Sequence, residues 1–169
     1  MSDSALLEFL AHSRELEREA GERYEELADV MAAHHNGAVA AFFARMTQEA
    51  AQHLAEVETL AAGRELPAIA PWEFRWPGAE PPETASYEAV HYRMTLHEAM
   101  QLALANERAA QAFYSRHADS SADPEVRRIA AQFAAEEAGH AARLETLLAA
   151  EPAPGPLAHE EDDPPHQPD

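Results

Sequence analysis

Residues 107–119, ERAAQAFYSRHAD, lie without a gap on residues 17–29, EREAGERYEELAD, and share Glu, Arg, Ala, Tyr, Ala and Asp at matching places. A second stretch behaves the same way. Residues 36–53, NGAVAAFFARMTQEAAQH, align on residues 123–140, DPEVRRIAAQFAAEEAGH, pairing Val39 with Val126, Glu49 with Glu136 and His53 with His140. Two helices rich in Ala and Glu resemble each other by chance, but chance does not bring a Tyr, a His and the helix starts into register together. The chain therefore reads as one helical hairpin, duplicated.

Around these stretches apolar residues recur at three- and four-residue steps and strand-type alternation is missing, which predicts an all-α protein of amphipathic helices. The first helix is expected from a cap at Ser4 to about Ala33, with Leu6, Leu10, Ser13, Glu17, Ala20, Tyr24 and Leu27 facing inward. The second follows the turn signal Asn36-Gly37 and runs to about Gly63, with Val39, Phe43, Met46, Ala50, His53, Val57 and Leu60 inward. Thr95-Leu96-His97-Glu98 reads as a capping box that opens a third helix to about Ala118. Asp123 caps the fourth, with Pro124 at its first position.

Between the hairpins, residues 63–94 carry Pro67, Pro71, Pro77, Pro81 and Pro82 beside Trp72, Phe74 and Trp76. That composition predicts a long crossover pinned by its aromatics, with a short helical turn at Ser86–Met94. Residues 151–169 are Pro-rich and acidic and are expected to form a disordered tail, leaving residues 1–150 as one four-helix bundle domain.

The formal charge of -19, from 12 basic and 31 acidic residues, argues against nucleic acid and anionic membranes as partners and makes cations the natural ones. The absence of cysteine excludes disulfides, a thiolate nucleophile, iron–sulfur clusters and a rubredoxin-type iron site. No segment approaches the ~18 uninterrupted apolar residues of a membrane span, and Asp3 and Glu8 interrupt the start where a signal peptide would be apolar. A soluble, cytoplasmic protein is expected.

The repeat also carries chemistry. In each half a Glu precedes a Tyr by two helical turns, so both project from one face, and Glu137 and His140 share a face at i, i+3 spacing. Four such helices bring carboxylates and imidazoles to the bundle centre, where an unpaired charge costs several kcal/mol. A metal is the economical way to neutralise them. Glu from two helices with Glu-x-x-His from the other two is the arrangement of di-iron carboxylate bundles.

On these residues the chain resembles the rubrerythrin-like branch of the ferritin superfamily over about residues 5–149. The resemblance implies a ferritin-like bundle in which Glu17, Glu107 and Glu137 are carboxylate ligands, His53 and His140 imidazole ligands, and Tyr24 and Tyr114 donors to ligating carboxylates. It implies two iron ions per chain, or a mixed iron/manganese pair, acting on peroxide or dioxygen or oxidising ferrous iron. With no rubredoxin module, electrons would come from another protein or from the iron itself. A homodimer is the expected assembly.

The second helix departs from this pattern, because Ala50 stands three residues before His53 where a Glu belongs. If the rest assembles, one metal sees Glu17, His53 and a shared Glu137, and the other sees Glu107, His140 and the same Glu137. Glu49, about 40° around the helix from His53, is either a replacement carboxylate or a solvated flank residue. Two further readings stay open: a one-metal half-site of Glu107, Glu137 and His140, or a non-catalytic metal-binding or scaffolding bundle. His12, His34, His35, His91, His97 and His117 are read as surface or capping residues. His159 and His166 would bind metal only weakly in the tail.

Overall fold

The computed structural model describes residues 2–70 and 93–151. Among these, four helices follow in order: α1 (Ser2–Ala33), α2 (Gly37–Ala61), α3 (Leu96–Ser120) and α4 (Pro124–Ala150). Each packs chiefly against its sequence neighbour, α1 on α2 and α3 on α4, and the two hairpins close on each other as a ferritin-like four-helix bundle. The aromatic residues of the crossover, His91 and the tail, including His159 and His166, lie outside the described residues. Of the helical turn expected at Ser86–Met94, only residues 93 and 94 are described, and neither is helical.

The second hairpin starts as its sequence dictates. Thr95 Oγ1 accepts from the Glu98 backbone N–H at 3.1 Å while Glu98 Oε2 accepts from the Thr95 N–H at 2.8 Å, a reciprocal box. Asp123 Oδ1 accepts from the Glu125 and Val126 N–H groups at 2.8 and 3.4 Å, and Pro124 follows in the position where a missing N–H costs nothing.

The first hairpin departs in detail. Helix α1 starts at Ser2, so Ser4 lies inside its first turn and is no cap; Asp3 sits in that turn, where the helix dipole favours a negative charge. The left-handed residue of the α1–α2 turn is His35, at φ 61°, rather than Gly37, which already belongs to α2. Asn36 instead reaches across the fold, its Nδ2 donating to the Met94 carbonyl at 2.8 Å and so tying the turn to the chain entering α3. Helix α2 ends at Ala61, before Gly63, whose φ of 76° reverses the chain without a Cβ penalty.

The inward stripes are those expected, with two exceptions. Ala20 is only partly buried, and Leu60 is 37% exposed because its neighbour Ala61 takes the buried position one turn after Val57. Phe9, Leu16, Met31 and Phe42 join the core as well. This core falls into two apolar clusters. One gathers Tyr24, Met31, Phe43 and Met46 with Met94 and Met100; the other gathers Phe9, Leu10 and Val57 with Phe113, Tyr114 and Phe133. Between them lies a layer of buried polar side chains: Glu17, His53, Glu107 and Glu137.

Candidate metal centre

Every helix sends a carboxylate or an imidazole into this layer: Glu17 from α1, His53 from α2, Glu107 from α3, and Glu137 with His140 from α4. They surround a cavity of about 60 Å³ that Ala20, Tyr24, Met46, Glu49, Ala50 and Asn106 also line. The i, i+3 spacing on α4 sets Glu137 and His140 one above the other, and the antiparallel return of α2 brings His53 opposite them.

Glu137 is central. Its Oε1 lies 3.2 Å from His53 Nδ1 and its Oε2 lies 3.8 Å from His140 Nδ1, so each oxygen faces a different imidazole. The remaining carboxylates take sides: Glu17 Oε1 is 3.8 Å from His53 Nδ1, and Glu107 Oε2 is 3.7 Å from His140 Nδ1. The two rings stand 4.9 Å apart, centre to centre, and steeply tilted. Ligand atoms fall into two trios, each within 4.8 Å: Glu17, His53 and Glu137, and Glu49, Glu107 and His140.

Both tyrosines are buried, but among the described residues only one contacts a carboxylate by hydrogen bond. Tyr114 Oη donates to Glu17 Oε1 at 2.7 Å, crossing from the second hairpin to the first. Tyr24, the matching residue, accepts from Asn106 Nδ2 at 3.2 Å instead. Arg143, one turn beyond His140, donates to Glu49 Oε1 at 2.5 Å. Neither Asn106 nor Arg143 is marked by the repeat, since their partners in it are Leu16 and Glu56. Among the histidines read as surface or capping residues, His12, His97 and His117 are half-buried, and His117 packs edge-on against Phe9 and Phe113.

Crowding shapes the titration of these groups. Burial pushes Glu137 up to about 11, helped by the hydrogen bond and the negative charge of Glu107. Burial also raises Glu17, and the Tyr114 hydrogen bond pulls it back to about 7. Glu107 feels the same burial, yet His140 and Glu137 facing it overcome the effect and hold it below the ordinary carboxylate range. His53 is lowered by burial and by His140, whereas His140 is raised by the Glu107 carboxylate. The protein groups alone thus share protons among carboxylates that could instead share a cation.

The residues fit a pair of hard or borderline cations. Three buried carboxylates and two imidazoles are the oxygen and nitrogen donors that iron and manganese take, and no thiolate competes. The Glu49 Oε2 atom is shielded from solvent and has no hydrogen-bond partner among the described residues, a donor set at the cavity with nothing to receive it.

Comparison with known proteins supports this view of the fold. A solved structure of an uncharacterized conserved protein from Magnetospirillum magnetotacticum MS-1 is similar at 42% identity with a TM-score of 0.71, covering 89% of this chain and 97% of that one. No curated protein matches the chain. The Rubrerythrin family model matches residues 8–148. That match runs through all four helices and every residue around the cavity, and the chain belongs to the rubrerythrin family.

Proposed function

We propose that the protein is a non-haem di-iron redox protein, with iron or an iron/manganese pair held by Glu17, His53, Glu107, Glu137 and His140. The observation that carries this reading is Glu137, a buried carboxylate with one oxygen toward each imidazole, the disposition of a ligand shared between two cations. When bound, the metal pair would supply electrons to reduce peroxide, or would itself be oxidised by dioxygen as in ferroxidase chemistry.

The protein's own part is to bind, orient and keep the site dry. Tyr114 fixes the rotamer of Glu17 by its hydrogen bond, and the two apolar clusters close the cavity above and below. Glu137 and Glu17 carry the protons that cation binding would release. The acidic surface favours cation delivery, and an external protein would return electrons, since the sequence has no cysteine for a built-in iron–sulfur or rubredoxin site. A cytoplasmic homodimer is the assembly we propose. No described helix is long and apolar enough to cross a membrane.

The test is the rate at which anaerobically iron-loaded protein consumes hydrogen peroxide, set against free ferrous iron at the same concentration. Faster consumption that disappears in Glu137→Ala supports the redox reading. Consumption no faster than that of free iron overturns it in favour of a non-catalytic metal-binding bundle.

A further inference from the structure

We propose that Glu49 supplies the carboxylate that position 50 lacks, and that Arg143 is the positioning residue that presents it to the second cation position. This rests on the metal-centre reading above. Ala50 lines the cavity on α2 but ends at its Cβ, and a Cβ added at Gly21 of α1 would stand 3.7 Å from it. A carboxylate for this corner must therefore come from beside Ala50.

Glu49 is that neighbour, one residue earlier and one turn before His53. Its Oε1 is pinned by Arg143, while its Oε2 is shielded and without a partner among the described residues. The same carboxylate lies within 4.8 Å of the ligand atoms of Glu107 and His140. Arginine suits the task because it keeps its charge at any working pH and directs its N–H groups in a fixed plane. One oxygen is held and the other is left for a cation.

The other half of the repeat provides an internal control. Glu136 matches Glu49, but Arg143 is matched by Glu56, which lies against Glu136. There a carboxylate faces a carboxylate. Glu136 Oε1 accepts from Gln132 Nε2 at 3.0 Å on its own helix, and Glu136 joins neither ligand trio. The same repeat position thus reaches the cavity only where an arginine stands across from it.

The experiment is an anaerobic titration of the full chain with Co²⁺, read by its visible absorption, with melting of each metal-free variant as a check on folding. Wild type is expected to take two ions per chain and Glu49→Gln one. Adding Ala50→Glu to Glu49→Gln should restore the second ion, a rescue that a purely structural role for Glu49 would not give. Arg143→Gln should keep two sites but weaken the second by about 10–100-fold, the usual loss when a ligand's supporting contact is removed, and Arg143→Lys should recover part of it. Two ions of unchanged affinity in Glu49→Gln would overturn the proposal and leave the five-ligand centre intact. No Co²⁺ bound by wild type would overturn both together.

Discussion

The centre is closed around Glu17 and His53 and ajar around His140. The side chains of Glu17 and His53 keep 6% and 10% exposure, whereas His140 keeps 23%. Their titrations move oppositely, His53 lowered by burial and His140 raised by the Glu107 carboxylate. Even the tyrosines are unlike, since Tyr114 holds Glu17 while Tyr24 turns to Asn106. Duplication built a nearly symmetric frame; single divergent pairs, Ala50 against Glu137, Leu16 against Asn106 and Glu56 against Arg143, make the two proposed cation positions different.

Glu137 faces both imidazoles, so its loss should have the largest effect. Glu137→Ala should abolish tight binding of both ions, and retention of either would show that the halves are independent; equilibrium dialysis with ferrous iron decides. Next in size, His53→Ala and His140→Ala should each cost one ion. Loss of both in either variant would mean that the positions fill cooperatively.

A smaller effect separates the tyrosines. Tyr114→Phe should weaken cation binding by about 10–100-fold through loss of its hydrogen bond to Glu17, and Tyr24→Phe should change it far less. Equal effects would contradict the asymmetry.

Smallest is a pH trend. Glu17 and Glu137 hold protons in the folded state well above the ordinary carboxylate range, so these two groups bind more protons in the folded chain than in the unfolded one once pH exceeds about 4.5. Metal-free stability should therefore fall as pH rises from about 5 to 7, where Glu17 gives up its proton, and continue more gently beyond as Glu137 alone persists. His140 acts in the same direction, its contribution present in acid and lost as pH rises through its raised pKa, while His53, His12 and His117, each lowered chiefly by burial, oppose them. Thermal melts across this range should show the decline without metal and a reduced one with it, because cations displace those protons.

Much of this was legible in the sequence because the repeat constrains it twice. The caps at Thr95 and Asp123 and the inward faces bearing Glu17, His53, Glu107 and Glu137 follow from local chemistry and helical spacing. What escaped depends on the partner across the bundle. The start of α1 at Ser2, the left-handed His35 and the burial of Ala61 in place of Leu60 are settled by tertiary fit. Asn106 and Arg143 matter through residues far along the chain, Tyr24 and Glu49, and no spacing rule joins them.

The most direct test of the central claim is the number of ferrous ions held tightly per chain under anaerobic conditions, measured for wild type and for Glu137→Ala. Two are expected in the wild type and none in the variant. Wild-type protein that holds no ferrous iron, or a variant that still holds either ion tightly, would contradict a shared centre built around Glu137.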